Sequence, residues 1–284
     1  TFTTAAQGYD IFLNGDATFA NAVTFQNTGT LDLGDATSDT LTFNGGLTES
    51  TSGTVTIDGA IVSSDDAITF GAINLGQDLS VTSAGGAITI GAITSSSARD
   101  VTITSSGGST NTVTLSTLSG GNMNTIAVTG STSVTLNGNI TTNNSSGNSV
   151  TITGTTINTG AITIDTNNSS DGAINLVGSV AGSNNNLALD SGGAVITLSG
   201  TAFNLGSGSL TTTGDINLAA NVSVTATGGI TINDKIDADS ASSNDRTLTL
   251  SSGTGATMTF SDAIGAAQPL AGLTITQSNG VTFN

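Results

Sequence analysis

Four charged residues that lie close together in the sequence are the first candidates for chemistry. Asp234, Asp237 and Asp239 surround Lys235. If this segment is extended, Asp237 and Asp239 lie on the same face, because side chains alternate along a strand. A pair of carboxylates on one face can act as acid and base in glycoside hydrolysis. The spacing therefore keeps a carbohydrate-active β-helix enzyme among the alternatives.

Two observations argue against that enzyme. A related segment earlier in the chain has non-acidic residues at the three matching positions, which are Gly91, Thr94 and Ser96. No aromatic side chain that could hold a sugar ring lies near the aspartates in the sequence. We therefore predict that these carboxylates belong to a solvated turn, that the protein is not an enzyme, and that it has no catalytic or cofactor-binding residues.

The composition also limits the metals that the chain could bind. It has no His and no Cys, and this removes the usual ligands of zinc, haem and iron–sulfur clusters. Oxygen ligands are abundant and favour calcium, for which the candidate ligands are Asp65, Asp66, Asp237 and Asp239. The glycine-rich nonapeptide of calcium-binding β-rolls and the EF-hand loop are both absent. We predict no cofactor other than possible calcium.

Charge excludes two classes of partner. The chain of 284 residues has a formal net charge of −17 and 3 Lys+Arg, so it should repel nucleic acid and anionic lipid. It has no run of eighteen apolar residues, and we predict no membrane insertion of this segment. Charged residues make up 8% of the chain and hydrophobic residues 36%, against about 25% charged in an average domain. The chain can therefore fold, with a surface of Thr, Ser, Asn and Gly.

A unit of apolar, small polar and apolar residues recurs along the whole chain. Examples are Val23-Thr24-Phe25, Ile88-Thr89-Ile90 and Val281-Thr282-Phe283. Period 2 with β-branched residues predicts strands whose apolar pair points inward and whose Thr points outward. Clusters of Gly, Asn, Ser and Asp between the units predict turns. No segment shows helical spacing.

The spacing of these units predicts a repeat architecture. Residues 66–73 and 86–93 carry nearly the same sequence. Strands this short cannot bury themselves alone, but stacked coils share one core. We predict an all-β protein, a parallel β-helix (β-solenoid) with roughly a dozen coils of about 20–25 residues, right-handed by the crossover rule.

A longer repeat divides the chain in two. Residues 71–86 align with residues 214–229, with nine of sixteen positions identical, and the similarity resumes further on, where residues 126–137 align with residues 273–284. We predict two copies, residues 1–137 and 138–284, in one continuous rod that is a segment of a longer array. The last coil should then have an open strand edge.

Stacking explains the composition. Equivalent positions of successive coils lie over one another, so Thr and Asn can form hydrogen-bonded ladders, whereas like charges repel. Arg99 and Arg246 occupy matching positions of the two copies. We predict a repeated structural role for them, pairing with the neighbouring Asp100 and Asp245.

The apolar–Thr–apolar units, their extension in residues 55–61 and 134–140, and the Thr-, Asn- and Gly-rich turns resemble bacterial β-strand-repeat surface proteins. These are the β-helical passengers of filamentous-haemagglutinin-like exoproteins and autotransporter adhesins. The resemblance is one of sequence style and covers the whole chain. It implies an elongated protein at the cell surface that serves adhesion or builds a coat.

We therefore expect a non-enzymatic extracellular β-solenoid segment of a large bacterial surface protein, acting as an adhesin stalk or as a structural fibre or coat. The expected partner is a second copy, by end-to-end or lateral association, or a glycan or protein of a cell surface. A self-assembling sheath or surface layer is one alternative. An ice-binding β-solenoid is another, because pairs of Thr two residues apart could form a flat array; they begin at Thr54, Thr102, Thr112, Thr151, Thr247 and Thr257.

Overall fold

The computed structural model describes residues 1–50, 53–108, 111–119, 123–142, 149–167, 170–239 and 246–284. Within these residues every regular element is a β-strand, and the strands stack in parallel in about 11 turns, which makes the protein a β-solenoid. The predicted fold class is confirmed, while the handedness of the winding stays a prediction. None of the described residues belongs to a helix that could cross a membrane. The structure comprises two compact units, Thr1–Thr135 and Leu136–Asn284.

Unit 1 begins with short strands and continues with longer ones. Its strands are β1 Phe2–Thr3, β2 Ile11–Leu13, β3 Ala17–Phe19, β4 Val23–Phe25, β5 Thr30–Leu33, β6 Thr40–Phe43, β7 Leu47–Glu49, β8 Thr54–Ser63, β9 Ile68–Phe70, β10 Ile73–Ser83, β11 Ile88–Ile90, β12 Ile93–Ser95, β13 Arg99–Ser105, β14 Thr112–Leu115 and β15 Met123–Leu136.

Three stacks of parallel strands form the faces of unit 1. Face 1a consists of β1, β4, β7, β9, β11 and β14. Face 1b consists of β2, β5, the first half of β8, the first part of β10, and β12. Face 1c consists of β3, β6, the second half of β8, the second part of β10, β13 and the first part of β15.

Unit 2 repeats this pattern. Its strands are β16 Ile140–Thr141, β17 Ser149–Asn158, β18 Ile162–Asp165, β19 Ala173–Val177, β20 Val180–Ala181, β21 Leu187–Leu198, β22 Ala202–Gly206, β23 Leu210–Leu218, β24 Val222–Ala226, β25 Ile230–Ile232, β26 Ile236–Ala238, β27 Thr247–Ser251, β28 Thr257–Phe260, β29 Gly272–Gln277 and β30 Gly280–Phe283.

The faces of unit 2 are named after the order in which the chain visits them. Face 2a stacks β16, β18, the first part of β21, the first part of β23, β25, β28 and β30. Face 2b stacks the first part of β17, β19, the later parts of β21 and β23, and β26. Face 2c stacks the end of β17, β20, β22, β24, β27 and β29.

The length of a coil varies along the chain. Ile88 pairs with Ile68 of the preceding coil and with Val113 of the next one, and the second of these coils is the longer. The pairing of Ile57 with Leu75 closes one of the shortest coils. The bridge between Ile236 and Ile264 closes one of the longest. Insertions are absorbed in the corners because the strands must stay in register to share the core.

The interior follows the alternation of the sequence. In the interior coils the apolar residues of the apolar–Thr–apolar pattern point inward, and Ile90 is 1% exposed. The Thr between them point outward and are partly or fully exposed, as at Thr24 and Thr89. Burial of each Ile, Val or Leu stabilises the coil by about 1.5–3 kcal/mol. The predicted inside and outside of the strands are therefore confirmed.

Several inward positions are polar, against the pattern. Glu49 occupies the inward position next to Phe25 on face 1a, and its Oε2 accepts a hydrogen bond from the Gly71 N–H at 3.1 Å. On face 2a the inward Thr212 is fully buried, and its hydroxyl has no hydrogen-bond partner. Asn158 is also fully buried with both side-chain polar atoms unpaired. Such groups cost about 1–3 kcal/mol each, so the core is not optimised for stability.

Candidate functional site: the outward ladders and the corner carboxylates

Face 1a carries an unbroken ladder of threonines. Each lies directly over its predecessor in the parallel register, so that the hydroxyls recur at the strand spacing of about 4.8 Å. The ladder consists of Thr3, Thr24, Thr48, Thr69, Thr89 and Thr114. Thr keeps the β-branched shape that suits a strand while it presents a hydroxyl to solvent. This face is therefore a uniform stripe of hydroxyl and methyl groups without charge.

Face 2a carries the equivalent ladder with one interruption. Its outward positions are Thr163, Ala188, Thr211, Thr231, Thr259 and Thr282. Next to this ladder, Asp165 and Asp190 lie on adjacent coils. Asn167 joins the two carboxylates, because its backbone N–H donates to Asp165 at 2.9 Å and its Nδ2 donates to Asp190 at 3.2 Å. Two stacked carboxylates are thus tolerated where the backbone N–H and the side-chain amide of one Asn each donate a hydrogen bond to one of them.

Face 2b alternates hydroxyl and amide side chains. Thr151, Asn175, Thr197, Asn217 and Asp237 follow one another in register. The Asn175 Nδ2 donates to the Thr151 Oγ1 at 3.1 Å. Hydrogen-bonded ladders of stacked polar side chains were predicted, and on this face the bond joins Asn to Thr. A hydroxyl accepts from the amide without the need to orient two amides alike.

The Thr pairs that suggested ice binding do not share one face. The pair at Thr102 lies on face 1c, the pair at Thr112 on face 1a and the pair at Thr54 on face 1b. In unit 2 the pairs at Thr247 and Thr257 lie on faces 2c and 2a. A flat lattice needs its pairs in consecutive coils of one face, so this distribution weakens the ice-binding alternative.

Asp and Asn side chains at the start of strands link successive coils. In unit 1, the Oδ1 of Asp10 accepts the Thr30 N–H at 2.7 Å, and the Oδ1 of Asp16 accepts the Thr40 N–H at 2.8 Å. In each case the donor residue occupies, in the next coil, the position that the acceptor residue occupies in its own coil. The bond satisfies a backbone donor at the corner, where the strand ladder begins. We call these bonds corner staples.

Corner staples recur in both units. Among the described residues, the other acceptors are Asp78, Asp100, Asn139, Asn186 and Asn221, at 2.9–3.0 Å, and Asp215, which accepts the Lys235 N–H at 3.4 Å. Sequence reasoning assigned such residues to turns and missed this bond. The signal was present, because each acceptor stands immediately before the first apolar residue of a strand unit.

The structure uses the carboxylates of the proposed glycosidase pair for local bonds. The Asp237 Oδ1 accepts the N–H groups of Ala267 and Gln268, both at 3.0 Å. Both carboxylate oxygens of Asp239 bind the Arg246 guanidinium, at 3.1 and 2.7 Å. The Oδ2 of Asp234 accepts the Gly214 N–H at 2.8 Å. These bonds hold the corner together and leave Asp239 tied to a cation.

The calcium candidates of unit 1 lie in an exposed corner. Asp65 accepts a hydrogen bond from the Ser64 Oγ at 3.0 Å. The Asp66 backbone is held by Ser63 and Ser83. In the described part of the chain, no three acidic side chains lie close enough to hold a metal ion. Calcium binding by Asp65, Asp66, Asp237 or Asp239 stays a prediction.

The two matching arginines have different surroundings. Arg246 pairs with Asp239 in a bidentate salt bridge, and both side chains are three-quarters buried. The predicted partner Asp245 lies outside the described residues. Arg99 makes no salt bridge with any described residue, and its Nε is buried without a hydrogen-bond partner. Its predicted partner Asp100 instead accepts bonds from Asn124 and Thr125.

Two carboxyls near the Arg99 corner have shifted pKa values. Burial raises the pKa of the Asp58 carboxyl, Asp32 raises it further, and Arg99 partly offsets both. The Asp58 Oδ1 is buried without a hydrogen-bond partner. Asp39 is the opposite case, because a hydrogen bond from the Asp35 N–H lowers the pKa of its carboxyl. Burial therefore disfavours the ionised form of Asp58, whereas hydrogen bonding favours the ionised form of Asp39.

The surface depressions within each unit are open. One of them has a volume of about 730 Å³ and lies in the last coil of unit 2, beside Ile264, Leu270 and Phe283. A smaller one, of about 350 Å³, lies in unit 1 beside Asp78 and Asp100. Comparison of the chain with models of protein families, with curated proteins and with solved structures finds no match to any of them. The geometry and the resemblance in sequence style are therefore the grounds on which a function is proposed.

Proposed function

We propose that this chain is a non-enzymatic, extracellular structural segment of a large bacterial surface protein, where it serves as a stalk or as part of a coat. The observation that carries the proposal is the stacking itself: three continuous parallel ladders in each unit, with an apolar interior and outward columns of Thr and Asn. Such a chain consists of repeated coils, and each coil is stabilised by contacts with its neighbours. Its mechanism is mechanical, because the coils hold surface groups in fixed rows.

The corner staples support this role. Each one adds a hydrogen bond between coils where the backbone ladder begins, as between Asp16 and Thr40. Hydrogen bonds from backbone N–H groups to carboxylates are charge-assisted and stronger than those between neutral groups. The staples thus give several of the acidic side chains a role in stacking. The resemblance to bacterial β-strand-repeat surface proteins supports the extracellular location.

Labelling of intact cells tests the location. Antibodies raised against the purified chain should label the native bacterium without permeabilisation, and external protease should remove the epitope. A cytoplasmic protein labelled in parallel must stay inaccessible in the same cells. Labelling that requires permeabilisation would contradict the proposal.

The enzyme alternative is tested separately. The chain is incubated with a panel of plant, algal and bacterial polysaccharides, and new reducing ends are measured. We expect none above the background of heat-denatured protein. Release of sugars that is lost in Asp237→Asn and Asp239→Asn but kept in Asp171→Asn would establish a glycosidase instead.

A further inference from the structure

The end of strand β17 in unit 2 turns its polar side chains into the core. Thr156 and Asn158 are buried, at 2% and 0% exposure, whereas Ile157 between them lies on the outer side and is partly exposed. The Thr156 Oγ1 and both polar atoms of the Asn158 side chain are buried without a hydrogen-bond partner. Such groups lose their bonds to water and gain none in return. The polarity of this segment is therefore the reverse of the pattern in the rest of the core.

The strands that follow on face 2c have the usual polarity. The inward residues of β20, β22, β24 and β27 are apolar, and they are Val180, Phe203, Leu205, Val224, Ala226, Leu248 and Leu250. Ile157 begins an outward row that continues with Ala181, Asn204 and Thr225. A shift of the reversed segment by one residue exchanges its two sides, because the side-chain period of a strand is 2.

The sequence of β22 and the corner before it matches the shifted register. Residues 152–160 align with residues 198–206, with four of nine positions identical and Ile157 on Phe203. In β22, Phe203 and Leu205 are buried and Asn204 between them is exposed. A segment that follows this pattern turns Ile157 and the residue two positions later into the core, and it turns Asn158 to solvent.

The corner after the segment also fits the shifted register. In unit 1, residues 71–73 are Gly-Ala-Ile, the buried Phe70 stands directly before them, and residues 91–93 repeat the arrangement. Two residues therefore suffice to turn the chain from one buried position to the next. Residues 160–162 are Gly-Ala-Ile as well. With Thr159 facing the core, the corner that follows has the same two-residue length.

We propose that residues 155–159 exchange between two registers, the described one with Thr156 beside Val180 and a second one with Ile157 beside Val180. In the described register the Thr156 N–H donates to the Ser179 carbonyl at 2.9 Å, and in the second register the Ile157 N–H takes this place. Both registers keep the backbone ladder, so the side chains decide between them. The second register has the same offset between paired residues as Val180 and Phe203 in the next coil.

The exchange changes the side chains that face 2c presents to a partner. In the described register Ile157 begins the outward row, and in the second register the amide of Asn158 takes its position beside Ala181. A ligand that contacts this row and prefers one of the two side chains shifts the populations by its differential affinity. The segment is thus a conformational switch within unit 2. It goes beyond the proposed function and does not depend on the location of the protein, so either proposal can fail without the other.

Crosslinking of the chain of 284 residues tests the two registers. The protein has no Cys, so a pair of introduced thiols reports one pairing. Paired residues of adjacent strands lie about 4.8 Å apart, within the range of about 4.4–6.8 Å between Cα atoms that a disulfide requires. One chain carries Ile157→Cys with Ala181→Cys, and another carries Asn158→Cys with Ala181→Cys. Both are oxidised at low protein concentration, and the intramolecular disulfide is measured by peptide mass spectrometry.

We expect both pairs to form the disulfide, because each register brings one of them together on the outer side of the face. A disulfide in the first pair alone would show a single fixed register. A disulfide in the second pair alone would show that the described register is not occupied. Either result, or no disulfide in both pairs, would overturn the proposal.

The matched control uses the same strand β17 on face 2b, where the polarity is normal. Thr151 pairs with Asn175, so Thr151→Cys with Asn175→Cys should form a disulfide. Ile152→Cys with Asn175→Cys is the shifted pair, and we expect at least tenfold less disulfide because position 152 faces the core. Circular dichroism and thermal melting confirm that all variants are folded. Equal yields for the shifted pairs of the two faces would mean that β17 is loose along its whole length, which contradicts a local switch.

The role of Ile157 is tested in the chain that carries Asn158→Cys and Ala181→Cys. Ile157→Thr removes the apolar group that the second register buries, so we expect at least tenfold less disulfide, whereas Ile157→Val should keep most of it. An unchanged yield with Ile157→Thr would show that local opening, rather than burial of Ile157, brings the thiols together, and the proposal would be wrong.

Hydrogen exchange examines the unmodified chain. The amides of residues 155–158 must break their ladder bonds at each change of register, so they should exchange at least tenfold faster than those of residues 150–153 in the same strand. Equal protection of the two segments would rule out the switch.

Discussion

The corners around Arg99 in unit 1 and Arg246 in unit 2 occupy matching positions of the long repeat but are stabilised differently. In unit 2 Asp239 holds the guanidinium with two hydrogen bonds. In unit 1 the corresponding residue is Ser96, and the Arg99 Nε is buried without a partner. The strands nevertheless pair in register beyond each arginine, from Val101 in unit 1 and from Leu248 in unit 2, although the register shifts between Arg99 and Val101. The comparison teaches that the stacked strands carry the fold, and that the corners can vary in charge without disrupting it.

The largest effect is expected when the shared feature, the apolar interior, is broken. Ile90→Asp in unit 1 and Ile232→Asp in unit 2 each place a carboxylate in the core, and each should lower the free energy of unfolding by about 3–5 kcal/mol. Limited proteolysis and urea denaturation measure it, and we expect the first cleavages within the substituted unit.

The outward neighbours provide the control for that experiment. Thr89→Asp and Thr231→Asp should change the free energy of unfolding by less than about 1 kcal/mol, since both side chains face solvent. Equal losses for the inward and outward substitutions would contradict the assignment of inside and outside.

The next largest effect on stability is expected from substitutions that distinguish the Arg246 corner from the Arg99 corner. Asp239→Ala removes the partner of a largely buried guanidinium and should cost about 2 kcal/mol. Ser96→Asp supplies the missing carboxylate to Arg99 and should stabilise unit 1 by up to about 1 kcal/mol. Chemical denaturation of each variant and of the double-mutant cycle with Arg246→Met measures the coupling. A coupling energy near zero would show that the salt bridge does not hold the corner.

An intermediate effect concerns an inward position where the units differ. Thr212 occupies the place on face 2a that Phe70 occupies on face 1a, one coil before Ile232 and Ile90, respectively. Thr212→Val removes an unpaired buried hydroxyl at nearly constant volume and should raise the free energy of unfolding by about 1 kcal/mol. Thr211→Val, on the solvent side, should change it by less than about 0.5 kcal/mol. Destabilisation by Thr212→Val would indicate that the hydroxyl is bonded in solution.

Within the Arg99 corner, two carboxyls should respond to pH with opposite signs. The raised folded-state pKa of Asp58 means that its contribution to stability falls as pH rises through that pKa. Asp58→Asn should therefore stabilise the chain at pH 7 but not at a pH below about 3.9. Asp39 has a lowered folded-state pKa, so its stabilisation is lost as pH falls through that value.

Asp39→Asn should accordingly destabilise the chain at pH 7, with the loss disappearing at low pH. Thermal melting of both variants between pH 2.5 and 7 measures the two trends. Parallel trends would contradict the assignment of burial to one carboxyl and of hydrogen bonding to the other.

The smallest effect concerns the interrupted ladder. Ala188→Thr restores in face 2a the unbroken row of face 1a, and a cross-strand Thr pair contributes about 0.2–1 kcal/mol. Thr89→Ala makes the converse change in face 1a and should lose a similar amount. Differential scanning calorimetry of both variants measures it, and a loss on completing the ladder would show that Thr stacking is not stabilising here.

Much of the fold could be predicted from alternation alone. The apolar–Thr–apolar units placed residues such as Ile90 inside and Thr89 outside, because the side-chain period of a strand is 2. The repeat near residues 66–93 pointed to stacked coils, and Ile68 pairs with Ile88 at the spacing of that repeat. The corner contacts could not be predicted in the same way. Arg246 binds Asp239, which lies seven residues earlier in the sequence, and a contact over that separation depends on how the coil folds rather than on residue type.

By itself the sequence determined that the chain forms strands, which side of each strand is buried, and that the surface is acidic and rich in hydroxyl groups. These follow from residue type and period 2, which are local properties. Only the tertiary structure decided which strand pairs with which. The coils differ in length because their corners differ, so spacing alone does not align Thr24 with Thr48 or Asp16 with Thr40. Stacking aligns them because each strand gains its hydrogen bonds and its buried contacts in a single register.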